Sequence, residues 1–306
     1  MRWVQISGGC SSGVGKGCLA AALGRQLALA GLRVGYQKIE PCLQGDITRL
    51  GNTHFGEISV SSDGQASDSD VARAKFYVPN VRLGRHPDVS LGKVLSGWIS
   101  IANREGRPTP RLRDVGRQLL ELLPDEADIL LVEVGGTAGE EEHALVTRAL
   151  VSVLGKPALH VHLTALVAVP GGRQTTKPAQ LSIAALTDAP DLVLLRGAAS
   201  GGAGAALAQG LPAGTPIVKV AEDSWPERAY RRALNEADAA VVLTHRLGSI
   251  QCPDALLERT AAPTHRVVVV HDGAGPEGYT SLGCRLLAWS QGRISIAWET
   301  STAFRP

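Results

Sequence analysis

The sequence predicts an α/β protein built on a doubly wound, mostly parallel sheet. Three observations carry this expectation. Short continuous apolar runs recur along the chain, bounded by glycine and polar clusters. Alanine- and leucine-rich segments of helical period lie between several of them. A glycine-rich turn joins the first run to the first such segment, as where a sheet of this kind holds a ligand at its carboxyl edge.

The runs are WVQI (3–6), LRVGYQKI (32–39), DILLVEV (128–134), ALHVHLT (158–164), DLVLLR (191–196), PIVKV (216–220) and AAVVLT (239–244). Each is short enough for a strand buried on both faces. The helical segments are CLAAALGRQLALAG (18–31), RDVGRQLLELL (113–123) and ALVTRALVSVLG (144–155). Residues 197–215 are rich in Gly and Ala and read as a loop with a short helix, and 245–265 as a linker. Beyond it RVVVVHDG, GYTSLGCRLLAWSQG and RISIAWE give one β-α-β piece, too small for an independent domain. The expected division is 1–245 for the main domain and 246–306 for linker and remnant.

Composition narrows the function. Of 306 residues, 44% are hydrophobic and only 4% aromatic, which suits an aliphatic core. Lys and Arg number 31 against 29 Asp and Glu, so there is no electrostatic case for a nucleic-acid or membrane partner. The cysteines at 10, 18, 42, 252 and 284 show no CxxC spacing, which argues against a zinc site or disulfide framework and fits a reducing cytosol. No signal-peptide pattern opens the chain and no apolar run is long enough for a membrane span, so the expected location is cytoplasmic.

The segment SGGCSSGVGKGCLAAAL follows the first strand. A Gly-rich turn between strand and helix lets backbone N–H groups surround phosphate oxygens, and the helix N-terminus adds a favourable field. Ser12, Gly13, Val14, Gly15, Lys16, Gly17 and Cys18 would line a nucleotide, with Lys16 reaching its outer phosphates. The strict GxxxxGK[ST] spacing fails by one residue, and Gly17 stands where a magnesium-binding Ser or Thr is expected. A plain strand–turn–helix connection is the alternative. Glu133 ends the apolar run ILLVEV, where burying an acid is costly unless it is paired or bound to metal.

Ordered segments resemble one family. GGCSSGVGKG is similar to the GGVVSSLGKG that opens the synthetase (amidoligase) domain of CTP synthases, and QKIEP (37–41) resembles its MKLDPY. GEISVSSDGQASDSD (56–70), LLVEVGGTAGEEE (130–142), and HLT (162–164) with TTKPAQ (175–180) resemble further segments in the same order, over roughly residues 3–245. The resemblance implies a P-loop, dethiobiotin-synthetase-like fold. It implies an ATP- and magnesium-dependent reaction in which a pyrimidine carbonyl oxygen is phosphorylated and then displaced by ammonia. Lys16 and Lys38 match the family lysines that contact phosphate, and Asp70 and Glu133 its magnesium carboxylates. Glu140, Glu141 and Glu142 match the segment that contacts the pyrimidine nucleotide, with acids at a helix N-terminus as the plainer explanation. Ser12, Thr175, Thr176, Lys177 and Gln180 fall in the acceptor segments. His54 lies one residue from the histidine that lines the ammonia entry. A homo-oligomer, dimer or tetramer, is also implied.

The departures concern the acceptor. Thr175 replaces a lysine, and no lysine in 197–215 matches a second one; Arg173, in a loop shortened by one residue, is a new cation close by. Fewer cations bind a triphosphate less well, since each charge-assisted contact is worth about 1.5–3 kcal/mol. The family's GDYLGATVQ stretch is replaced by REGRPTPRLRD, which leaves assembly and ammonia routing open. The C-terminal piece resembles the start of a glutaminase domain but includes no nucleophile elbow, so the expected nitrogen donor is ammonia, free or partner-supplied, or an amine. Cys284 falls in an apolar helical segment and reads as core. Three readings stay open: a C–N ligase acting on a pyrimidine nucleotide or related acceptor, with ammonia-dependent CTP synthesis from UTP as its plainest form; a dethiobiotin-synthetase-like ligase on a small metabolite; and a silent nucleotide-binding regulator.

Overall fold

The computed structural model describes residues 1–9, 13–45, 58–60, 66–106, 111–169, 173–196, 202–220, 265–271 and 294–300. Its centre is a seven-stranded, wholly parallel sheet. The strands are β1 (Arg2–Gly8), β2 (Val34–Glu40), β5 (Arg82–Ser90), β6 (Ile129–Val134), β7 (Leu159–Ala165), β10 (Leu192–Arg196) and β11 (Ile217–Val220), in the order β11-β10-β7-β1-β6-β2-β5. Two antiparallel pairs stand apart from it, β3 (Ile58–Val60) with β4 (Ala66–Asp68) and β8 (Val167–Val169) with β9 (Arg173–Thr175). The chain first winds outward from β1 to β2 and β5, returns to β6 beside β1, and then continues on the other side through β7, β10 and β11. That reversal makes the sheet doubly wound and marks the carboxyl ends of the central strands as the ligand edge.

Helices cover both faces because the strands alternate. Val4 and Ile6 of β1, Val34 and Tyr36 of β2, and Ile129 and Leu131 of β6 pack with helices α1 (Lys16–Leu29) and α2 (Ser69–Tyr77). Their neighbours Trp3, Ile39, Leu130 and Val132 face α3 (Leu91–Glu105), α4 (Leu112–Leu120) and α5 (Glu141–Leu154). A third apolar cluster joins Val193 and Leu195 of β10 to α6 (Lys177–Ala184) and α7 (Ala203–Ala208). The period of two along each strand therefore decides which polar side chains share a face.

Two regions differ from the sequence expectation. The divergent stretch around 86–117 contains a sheet strand, β5, and two helices, α3 and α4; β5 is an edge strand with a polar sequence, RLGRHPDVS, and lacks an apolar run. The first helix starts at Lys16 rather than 18, so the lysine belongs to its first turn. The expected short helix in 197–215 is α7. At the C-terminus β12 (His265–His271) and β13 (Ile294–Thr300) pair in parallel; the helix expected between them lies outside the described residues, as does the run 239–244.

Candidate functional site

At the carboxyl ends of β2 and β6, on the face covered by α1 and α2, four carboxyl groups surround one ammonium. Lys38 Nζ lies 2.7 Å from Asp70 Oδ2, 2.9 Å from Asp68 Oδ2, 3.1 Å from Glu40 Oε1 and 3.9 Å from Glu133 Oε1. Lys38 and Glu133 are direct partners in the β2–β6 ladder, and Glu40 follows Lys38 at the next position on the same face. Asp68 and Asp70 arrive from the start of α2, where the Asp68 side chain accepts from the Asp70 N–H at 2.7 Å and caps the helix. Arg73, one turn along α2, pairs with Asp70 Oδ1. Both oxygens of Asp70 are thus held by cations.

The charges disturb one another strongly. Burial alone would lower the pKa of Lys38, but the surrounding carboxylates, led by Glu133 and Asp70, raise it well above the ordinary lysine value. Burial would also raise Asp70; Lys38 and Arg73 override it and hold that carboxyl at about 2. Glu133 behaves oppositely. Its burial, reinforced by the charge of Asp70, pushes it up to about 8 against the pull of Lys38, Lys16 and the Tyr36 hydroxyl, which donates to Glu133 Oε2 at 2.7 Å. Adjacent acids with separated pKa values are a feature of functional sites.

The phosphate loop borders this cluster. Gly13 and Gly15 take positive φ, at 73° and 106°, and Gly15 caps α1 without a side-chain hydrogen bond. The N–H groups of the first turn thus have no side-chain cap, as an anion site at a helix N-terminus requires. Lys16 Nζ donates to the Gly136 carbonyl at 2.9 Å, which brings the GGT turn after β6 to the loop. A Cβ on Gly17 would overlap Asp70 Oδ1. The residue that replaces Ser or Thr is glycine because the Asp70 carboxyl occupies the side chain's space. Val14 and Cys18 are buried in the core rather than lining an open surface.

Nucleotide and magnesium fit this donor set. Among the described residues no group of three or more His, Cys, Asp or Glu side chains is arranged to hold a metal by itself. Magnesium seldom needs one, since one or two carboxylates with phosphate oxygens and water complete its shell. Asp70 and Glu133 are the carboxyl groups beside the loop that would hold it.

The acceptor residues are more dispersed. Glu140 is the N-cap of α5, with Oε1 accepting from Thr137 Oγ1 at 2.7 Å; Glu141 and Glu142 occupy the first turn, where the helix field favours acids. Thr175 ends β9 and accepts from the Lys177 N–H at 3.3 Å, Thr176 caps α6 and Lys177 is exposed. Gln180 is turned toward α7, donating from Nε2 to the Ala206 carbonyl at 3.0 Å. Arg173 opens β9. Ser12 and His54 lie outside the described residues.

Four charged residues of the site escaped the sequence reading, among them Arg73, the second partner of Asp70. Glu40 and Asp68 complete the ring around Lys38. Arg196 ends β10, is 4% exposed, and donates to the Val14 carbonyl in the phosphate loop. It places a cation near the region where a lysine was found missing. Glu40 and Arg196 each end an apolar run, the same signal that marked Glu133.

Residues 2–201 match a family model described as CTP synthase N-terminus. The CTP synthase of Tropheryma whipplei (strain Twist) is 32% identical over 212 residues, covering 64% of this chain and 38% of that protein. The CTP synthase of Frankia casuarinae is 34% identical over 210 residues, with 64% and 34% covered, and that of Schizosaccharomyces pombe 32% over 217, with 64% and 36% covered. The chain therefore spans well under half the length of these curated relatives. Among solved structures, the signal recognition particle receptor FtsY of Elizabethkingia anophelis superposes with a TM-score of 0.37 at 11% identity, over 77% of this chain and 63% of that one. A likeness that loose carries no weight.

Proposed function

The chain belongs to the family of the CTP synthase N-terminus, and we propose that it is an ATP-dependent C–N ligase that exchanges a carbonyl oxygen of a pyrimidine nucleotide or related acceptor for ammonia or an amine. The observation that supports this most is the Lys38 cluster: an ammonium among four carboxylates, directly beside a glycine-rich loop carrying Lys16. When bound, ATP with magnesium supplies the phosphoryl group that turns the carbonyl oxygen into a leaving group. Phosphoryl transfer asks the protein for position and charge rather than covalent chemistry.

In this reading the loop N–H groups and Lys16 hold the outer phosphates. Asp70 and Glu133 serve the metal, and their release from Lys38 and Arg73 leaves two cations free to face phosphate oxygens. Glu140, Glu141, Glu142, Arg173, Thr175, Thr176, Lys177 and Gln180, with Ser12, orient the acceptor, and His54 serves the entry of ammonia. The acceptor carries fewer phosphates than UTP, because Thr175 stands where a lysine would meet one. The enzyme works as a cytoplasmic homo-oligomer with ammonia or an amine as nitrogen donor.

The test is acceptor-dependent ADP formation with UTP, UDP, UMP and uridine at saturating ATP and ammonium. The expected result is a higher kcat/KM for UMP or uridine than for UTP, lost at least a hundredfold in Lys16→Ala and Glu133→Ala. A strong preference for UTP that disappears in Arg173→Ala would show ordinary CTP synthesis instead. ADP formation indifferent to every acceptor would reject the ligase.

A further inference from the structure

The opposite face of the sheet carries a second buried polar network that the phosphoryl chemistry does not use. Ser7 is 0% exposed and lies one residue before the glycine that ends β1. Its Oγ is 2.8 Å from His160 Nε2 and 3.0 Å from His162 Nδ1, both on β7. His162 Nε2 is 3.1 Å from Ser182 Oγ on α6, and Ser182 in turn donates to the Ala179 carbonyl at 2.9 Å. Thr164 Oγ1 joins at 3.2 Å from Ser182 Oγ.

Ser7 Oγ also lies 3.4 Å from the Val161 carbonyl, and the proton arrangement that satisfies the shorter serine–histidine bonds is the following. Ser182 gives its proton to Ala179, so it accepts from His162 Nε2–H. The Nδ1 of His162 is then a bare acceptor, filled by the Ser7 hydroxyl, which itself accepts from His160 Nε2–H. Both imidazoles are then neutral, and the bonds run in one direction from His160 on β7 to Ser7 on β1, back to His162 on β7 and on to Ser182 on α6.

Such a chain is a costly way to fill a core. A satisfied buried polar network is often no more stable than apolar residues of the same volume, and its attested use is to fix one arrangement. The elements it joins are those that carry the two halves of the proposed site. Ser7 leads into the phosphate loop. Ser182 lies on the helix that bears Lys177 and Gln180. A Cβ on Gly9 would overlap the Ser182 Cβ, so loop and helix touch at this point. His143, one residue after Glu142 on α5, lies 4% exposed in the same polar region, with no hydrogen-bond partner for Nε2 among the described residues.

We propose that His162 and Ser182 are positioning residues: the Ser7–His162–Ser182 chain sets the acceptor helix α6 at a fixed distance from the phosphate loop across the top of the sheet. The inference rests on the ligase reading for the identity of what α6 holds, and on the geometry alone for the strut. A displacement of about 1 Å between reacting groups can cost a hundredfold in rate without weakening the binding of either. The strut therefore acts on kcat rather than on KM.

Ser182→Ala and His162→Leu test it, with His162→Gln as the conservative variant that keeps a donor and an acceptor. Hydrogen exchange of the amides in 177–184 is measured by mass spectrometry in the full chain, beside the melting temperature and the ADP-forming kinetics. The expected result is exchange in α6 faster by tenfold or more, with α1 unchanged and a melting temperature within a few degrees of the parent. With it goes a tenfold or larger fall in kcat at ATP and acceptor KM values within threefold, partly restored in His162→Gln. Unchanged exchange in α6 would overturn the strut. Faster exchange with kcat unchanged, or with the loss confined to KM, would overturn its positioning role. Should the parent protein itself show no acceptor-dependent turnover, the ligase reading fails, while the exchange measurement still decides the strut.

Discussion

Lys38 and Glu133 sit opposite each other on β2 and β6, yet the ammonium is closest to Asp70, at 2.7 Å, and stands 3.9 Å from Glu133. The Tyr36 hydroxyl, two residues earlier on the same strand face, donates to Glu133 instead. Glu133, which the ladder pairs with Lys38, is thus pushed toward its neutral form, while Asp70, delivered by α2, is held ionised.

Removing the ammonium should expose this imbalance. Lys38→Met leaves Glu40, Asp68, Asp70 and Glu133 without their common partner. Breaking a buried pair from one side costs about 3–5 kcal/mol. Urea unfolding should show a loss of that order, part of it recovered at millimolar magnesium. A variant as stable as the parent, with or without magnesium, would mean that the carboxylates are neutral or solvated.

The raised Glu133 gives a proton balance. At pH 7 a carboxyl near 8 is mostly protonated, and a metal ligand must be ionised. Binding a magnesium–nucleotide should release close to one proton at pH 7 and almost none above pH 9. Calorimetry in buffers of different ionisation enthalpy measures this, and Glu133→Gln should abolish it. Equal heats in all buffers at pH 7 would refute the assignment.

Acid should destabilise the protein through the second network. Burial lowers His143 and His160 to about 4 and His162 to about 3, from an ordinary 6.5. Between pH 6.5 and about 4 the unfolded chain binds protons that the folded one refuses, so stability falls as pH falls, by about 1.4 kcal/mol per histidine for each pH step of one. Glu133 works in the other direction from pH 8 down to its ordinary 4.5, but it is one group against three. Urea midpoints should therefore drop steeply below pH 6.5. A midpoint constant to pH 4 would contradict buried, neutral histidines.

The glycine after Lys16 offers a steric test. Gly17→Ala adds one methyl group in the space that Asp70 Oδ1 occupies. To make room, the Asp70 side chain must give up its pairs with Lys38 and Arg73. Nucleotide affinity should fall at least tenfold by fluorescence titration. Affinity within twofold of the parent would show that Asp70 is not needed where it lies.

Much of this was legible in the sequence, for physical reasons. Central strands buried on both faces must be apolar, so the five inner strands of the main sheet announced themselves as runs, and so did the edge strand β11, whose sequence is mostly apolar as well. The other edge strand, β5, pairs on one side only and carries the polar sequence RLGRHPDVS, so no apolar run marks it. Glu133 was found because an acid in a buried run needs a reason. The same logic applied to Glu40, Arg196 and the alternation His160, His162, Thr164 would have found more of both networks. Asp68 gave no comparable signal, since its polar surroundings read as a solvated loop. Which groups meet around Lys38 depends on how α2 is set against β2, and no local pattern encodes that.

In the proposed reaction a carbonyl oxygen leaves as phosphate oxygen, which isotope transfer can follow. UTP, UDP, UMP and uridine, each carrying oxygen-18 at the 4-carbonyl, are incubated with ATP, magnesium and ammonium, and the inorganic phosphate is examined by phosphorus-31 NMR. Phosphate formed with the accepted pyrimidine should carry one labelled oxygen per ADP produced, and Lys16→Ala should form none. Unlabelled phosphate alongside ADP from every acceptor would mean that water receives the phosphoryl group, and would contradict the proposed reaction.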